Sequence, residues 1–183
     1  MKYIARRFRL RSGGCCVLRS PEPRDAAQRA AFLKKVNAET DFMARGAGDT
    51  PEDLGLIEDM LQDQLDDERS LEIAAFVGDE MIACGGINPA ARAYPRKRHR
   101  AQFGICVLKE YWSEGLGTAI LQALIAGAGK MGYAQMELTV VSGNERARRL
   151  YVRCGFEEAG RMPDALLYED GTFRDEIWMV RKL

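Results

Sequence analysis

Two stretches of this chain combine residue types and spacings that could do chemistry. In "YWSEGLGTAILQALI", residues 111–125, Gly115 and Gly117 stand directly before apolar residues at helical spacing. Glycines at the mouth of a helix leave successive backbone N–H groups open beside the positive end of the helix dipole, where a phosphate or pyrophosphate is well received. An ordinary turn accounts for the same two glycines. The spacing is not that of a GxxxxGK(S/T) phosphate loop, and a dinucleotide GxGxxG fails because Ile120 occupies the third glycine position. The second stretch, "NERARRLYVRCGF", residues 144–156, puts Ala147, Leu150, Tyr151 and Cys154 on one face of a helix. On spacing alone Tyr151 is therefore read as a residue of the buried face of that helix.

Other chemistries find less support. The chain has 1 histidine, which weakens a Ser-His-Asp arrangement or a catalytic metal, and none is expected. Its 5 cysteines show no CxxC spacing, so they are expected to be reduced thiols in a cytoplasmic protein. Cys84, Cys106 and Cys154 read as small apolar filling rather than as nucleophiles.

The elements that must hold these stretches follow from periodicity. Residues 3–18, broken by Ser12-Gly13-Gly14, read as a hairpin whose second strand lies near 15–19. Pro21, Pro23 and Asp25 open a helix over 26–36, and a glycine-bearing loop follows over 39–49. A second helix is expected to start with Thr50 as its cap, Pro51 in the first helical position and Glu52 and Asp53 in the first turn. "LEIAAFV" and "MIACGGI" flank Gly78-Asp79 as a hairpin, and "AQFGICVL" is a buried strand. The helix after Gly117 ends near Gly132, "AQMELTVV" is a strand, and Ser142 with Glu145 fits a capping box for the next helix. Two last strands are expected over 157–162 and 172–180.

Bulk properties set the frame. A chain of 183 residues, 46% hydrophobic, suits one domain over 1–183. Lysine plus arginine and aspartate plus glutamate both number 27, so no global charge recruits nucleic acid or a membrane surface. The loop "YPRKRHR" is basic but lacks interleaved aromatics beyond Tyr94, and no apolar run is long enough to cross a bilayer.

Taken together and in this order, the two motifs resemble the GNAT superfamily of acyl-CoA-dependent N-acetyltransferases. Residues 112–118 are similar to that family's R/Q-x-x-G-x-G-A/G pyrophosphate loop, and residues 144–156 to its N-x-x-A-x-x-L-Y-x-x-x-G-F helix. The likeness covers 71–183 well and the first seventy residues in outline. It implies an α/β domain of the α+β type, with a mixed, mostly antiparallel twisted sheet, flanking helices and splayed central parallel strands. It implies acetyl-CoA as co-substrate, with the backbone of Ile105, Cys106 and Val107 along the pantetheine arm and amides of Glu114, Gly115, Leu116, Gly117 and Thr118 on the pyrophosphate. Asn144 would reach the pantetheine region, and Tyr151 the thioester sulfur as the acid for the departing thiolate. An amine of a small molecule or protein would attack directly through a tetrahedral intermediate, its oxyanion held by the N–H of Val107 or Cys106. Arg148, Arg149 and Arg153 read as a solvated helix face, with reach to the 3′-phosphate of CoA as the alternative.

Three departures stand out: Trp112 for Arg or Gln, Thr118 for Ala or Gly, and Gln102 where histone acetyltransferases of the superfamily carry a glutamate base. Candidate substitutes are Glu39 and Asp41, otherwise solvated loop residues, Glu137, otherwise an outward strand position, and His99, otherwise a surface imidazole, with Glu39 named as the acceptor-site residue. The competing reading is a non-catalytic acyl-CoA sensor. A homodimer is left open.

Overall fold

Alternation and turn chemistry produce an opening hairpin, β1 (Arg6–Arg9) and β2 (Cys15–Arg19), in which Arg6 faces Leu18. The structure is a computed structural model and describes residues 1–46, 48 and 53–183. A single 3₁₀ turn, Pro23–Asp25, leads into α1 (Ala26–Glu39). The Asp25 carboxylate accepts from Glu22 N–H at 2.8 Å and takes both guanidinium nitrogens of Arg19 at 2.6 and 2.8 Å, fixing the entry of the helix. The expected cap of the second helix, Thr50 with Pro51 and Glu52, lies outside the described residues. Helix α2 (Leu54–Asp66) is capped by Asp53, which accepts from Leu56 N–H at 3.1 Å.

Strands β3 (Leu71–Val77) and β4 (Glu80–Pro89) form the hairpin around Gly78-Asp79, and Gly78 adopts φ +56° as a tight turn requires. Then come β5 (Arg100–Val107), α3 (Leu116–Lys130), β6 (Gln135–Val141), α4 (Glu145–Arg153), β7 (Glu157–Leu167) and β8 (Phe173–Lys182). The eight strands make one sheet in the order β1-β2-β3-β4-β5-β6-β8-β7. Among the described residues only the β5–β6 pairing is parallel; the other pairings are antiparallel. This is the mixed, mostly antiparallel sheet that the resemblance implied.

The two faces of the sheet carry different helices. On one, α3 presses so close that a Cβ at Gly127 would fall 2.5 Å from Leu71 Cδ2, and one at Gly85 would fall 3.0 Å from Ile120 Cγ2. Leu116, Ile120, Leu121 and Leu124 are fully buried there, each worth about 1.5–3 kcal/mol of transfer free energy. Helix α4 joins α3 on this face, where the Tyr151 ring meets Phe103 edge-on at 5.9 Å. On the other face α1 sends Arg29 to Glu72 at 2.5 Å and to the Cys84 thiol at 2.7 Å, and α2 packs on α1 through Ile57, Leu61 and Ala26.

The capping box is corrected. Asn144, not Ser142, caps α4: its Oδ1 accepts from Ala147 N–H at 3.2 Å, while Ser142 N–H is drawn to Asp175 O at 2.8 Å. Asn and Ser are equally good caps, and the strand pairing of Ser142 decides between them. The first of the last two strands also runs to Leu167, further than the pattern suggested.

Candidate active site

Strands β5 and β6 pair through only three rungs, Arg100 with Gln135, Ala101 with Met136 and Gln102 with Glu137, and then part. On its other edge β5 stays paired with β4 up to Val107. Past Gln102, alternate backbone N–H and C=O groups of β5 therefore face a gap instead of a neighbouring strand, and such groups seek a partner. The last of these carbonyls, that of Val107, accepts the indole N–H of Trp112 at 2.8 Å. Trp112 thus ties the loop before α3 to the end of β5, a role its mismatch with the family loop did not announce.

The gap opens into a cleft of about 610 Å³. Ile105, Cys106 and Val107 line it from β5, Gly115, Leu116, Gly117 and Thr118 from the start of α3, and Asn144 and Tyr151 from the start and middle of α4. The structure thus brings these expected residues to one place. At Gly115 the backbone is left-handed, φ +90°, and no side chain caps α3 behind it. A fifteen-residue helix thereby presents uncapped N–H groups to the cleft, the arrangement that receives an anion.

Two expected residues stand elsewhere. Glu39 is not among the lining residues; its carboxylate accepts from Lys109 N–H at 2.7 Å, so it closes the turn after β5. Glu114 turns its carboxylate to Ser12 N–H at 2.9 Å, which keeps a negative charge directed at the first hairpin rather than at the helix mouth.

Among the described residues four arginines line the cleft, Arg11, Arg146, Arg149 and Arg153. Arg148 instead reaches Glu158 at 3.0 Å and Glu145 at 3.7 Å. Arg146 lies over the Trp112 ring at 4.6 Å, and burial together with the nearby Arg149 holds its guanidinium below the usual range. Two arginines that repel each other at the mouth of an uncapped helix are relieved by an anion. Arg11 and Arg146 were missed from the sequence. Arg11 belongs to the first hairpin, far along the chain, and only folding brings it within 3.8 Å of where a Gly115 Cβ would stand.

Tyr151 is 6% exposed, and among the described residues its hydroxyl has no hydrogen-bond partner. Burial raises its phenol well above the ordinary value, so it is neutral and protonated at any physiological pH. Burial likewise pushes the Cys106 thiol up to about 11, partly countered by Arg29, which makes it a poor nucleophile at neutral pH. The substitutes for a base are spent or remote. Glu137 takes Nε and Nη2 of Arg100 at 2.7 Å each, and His99 is exposed. Asp41 is exposed too and offers its backbone carbonyl to the Tyr168 hydroxyl at 2.5 Å. No group of three or more His, Cys, Asp or Glu side chains suited to a metal ion occurs among the described residues.

Comparison with known proteins bears on this site. The family model described as Acetyltransferase (GNAT) family matches residues 36–156. A solved acetyltransferase of the GNAT family from Streptococcus pneumoniae superposes with a TM-score of 0.85 and 30% identity, covering 92% of this chain and 99% of that one. The Escherichia coli (strain K12) protein named L-amino acid N-acetyltransferase AaaT is 28% identical over 124 residues, 67% of this chain and 75% of its own length. The structure of yncA from Salmonella typhimurium with its cofactor acetyl-CoA has the same fold, at a TM-score of 0.80 and 18% identity, covering 92% of this chain and 94% of that one.

Proposed function

This chain belongs to the acetyltransferase (GNAT) family, and on that premise we propose that it transfers the acetyl group of acetyl-CoA to a primary amine. One observation carries the reading: the uncapped start of α3 and the unpaired edge of β5 converge in a single cleft lined by four arginines. The residues fit the co-substrate. The amides at Leu116, Gly117 and Thr118, with Arg146 and Arg149, suit the pyrophosphate and phosphate charges. The open edge of β5 suits the two amides of a pantetheine arm, which need backbone partners as a strand would. Acetyl-CoA bound by yncA supports this choice for a chain of the same fold.

Bound there, acetyl-CoA supplies an activated acyl thioester, and the chain supplies geometry and protons. The N–H of Val107, which faces the gap while that of Cys106 faces β4, steadies the developing oxyanion at the end of β5. Tyr151, held protonated by burial, donates to the departing sulfur. Asn144 spends its carbonyl oxygen on the helix cap and keeps its amide N–H groups for the arm. The high thiol value of Cys106 supports direct attack rather than a covalent enzyme intermediate.

The relative named an L-amino acid N-acetyltransferase supports a small amine as acceptor. The test is to incubate the protein with acetyl-CoA and a panel of amines, amino acids among them, and to follow free thiol. Amine-dependent release is expected. Tight CoA binding with no release for any amine would replace the enzyme with a non-catalytic sensor.

A further inference from the structure

The parting of β5 and β6 carries the cleft through the sheet to the face that holds α1. There the wall is made by Val36 of α1, Phe42 and Met43 of the loop 40–46, and Cys106, whose thiol lies 3.6 Å from the Met43 sulfur. This wall is apolar or nearly so. Against it stands one carboxylate, and it is the only one lining the cleft among the described residues: Glu176 of β8. Ile177 and Met179 on that strand are buried among the core residues of α3 and α4, so by strand alternation Glu176 points the other way. It sits opposite Val141 in register, and Thr139 donates its hydroxyl to Glu176 Oε1 at 3.2 Å.

Glu176 keeps acceptor capacity to spare beyond its bond from Thr139, and Asp41, the other acid nearby without a side-chain partner among the described residues, is exposed and does not line the cleft. Glu137 is saturated by Arg100, Glu39 is taken by Lys109 N–H, and the neighbouring Asp175 is turned to Arg161 at 3.1 Å. Among the described residues no lysine or arginine pairs with Glu176. From the elements around it come Thr139 and Val141 on β6, Met162 opposite on β7 and Arg174 two residues back on its own strand. Arg11, Arg146, Arg149 and Arg153 share the cleft from the cofactor side, while Tyr151 and Cys106 face it uncharged.

Resting on the acetyltransferase reading, we infer that Glu176 receives the acceptor's ammonium group and takes its proton, and that the acceptor carries an apolar substituent seated on Val36, Phe42 and Met43. Glu176 replaces the base that Gln102 cannot be, approaching from the far edge of the cleft instead of from β5. One proton passes from the ammonium nitrogen to a Glu176 oxygen. The freed lone pair forms the N–C bond, the C–S pair leaves on sulfur, and Tyr151 protonates it. The excess proton on the acylated nitrogen restores the phenol through solvent, and Glu176 returns its own to water. The sum is ammonium plus thioester to amide, thiol and one proton.

The test compares wild type, Glu176→Gln and Glu176→Asp with a phenyl- or branched-alkyl-bearing primary amine, measuring kcat/KM across pH and CoA affinity by calorimetry. Glu176→Gln should lose about 10²-fold at pH 7. The deficit should shrink as pH nears the amine's own value of about 10, where solvent does the deprotonation. CoA affinity should hold, and Glu176→Asp should recover part of the rate. Wild-type rates at pH 7 in Glu176→Gln, or a loss that is flat in pH and accompanied by lost CoA affinity, would overturn the assignment while leaving the enzyme intact. Amine-dependent turnover absent from wild type itself would instead sink the acetyltransferase reading, and this one with it. An acceptor whose substituent is cationic should be poorer by about ten-fold or more; equal efficiency would overturn the apolar seat.

Discussion

Tyr151 serves packing and chemistry with different parts of one side chain. Its ring closes an aromatic cluster with Phe103 and Phe156, at centroid distances of 5.9 and 6.1 Å, while the residue lines the cleft and its hydroxyl has no partner among the described residues. Removing only the hydroxyl therefore leaves the packing whole and orphans no other group. Tyr151→Phe should keep the thermal midpoint and the CoA dissociation constant and lower kcat by about 10²-fold. Steady-state rates equal to wild type with a good amine would remove Tyr151 from the mechanism. The helix spacing of residues 144–156 was compatible with a purely structural tyrosine, and the ring contacts agree with that half of the reading. The other half needed the cleft, which no local pattern contains.

At the scale of elements, the open mouth of α3 depends on Gly115 and Gly117 for two different reasons. Gly115 has left-handed backbone, whereas a Cβ at Gly117 would come 3.1 Å from Leu150 Cδ2, so this glycine lets α3 and α4 approach. Gly117→Glu should abolish CoA binding in calorimetry, by adding bulk and negative charge where the amides are offered, and should lower the melting point through the lost approach of α4. Normal affinity in that variant would end the idea that these amides hold the pyrophosphate. The strands and helices were largely legible, because alternation and the 3.6 period are local and Gly78-Asp79 marks its turn plainly. Three features were not. The cap of α4 went to Asn144 because Ser142 is committed to Asp175, and the turn after β5 claimed Glu39 through Lys109. Glu176 joined the cleft because β8 inserts beside β6, a pairing between segments that no spacing in the chain reveals.

Over the whole molecule, the strands β1 to β5 and the strands β6, β8 and β7 meet only along the three rungs at the base of the gap. The Arg100–Glu137 pair, with side chains 28% and 21% exposed, sits on those rungs. Across the open end, the Tyr168 hydroxyl reaches from the β7–β8 turn to the Asp41 carbonyl, 127 residues away in sequence. Arg100→Ala strips a partner from Glu137 and should lower stability by about 2 kcal/mol in denaturant melts; an unchanged midpoint would mean that the seam is held by something else. Where the sheet is joined so narrowly, the continuous core under α3 and α4 holds its two halves together. Acetyl-CoA lying in the gap as proposed would stitch these halves further, so saturation at about a hundred times the dissociation constant should add about 2.7 kcal/mol to the cohesion of the folded state.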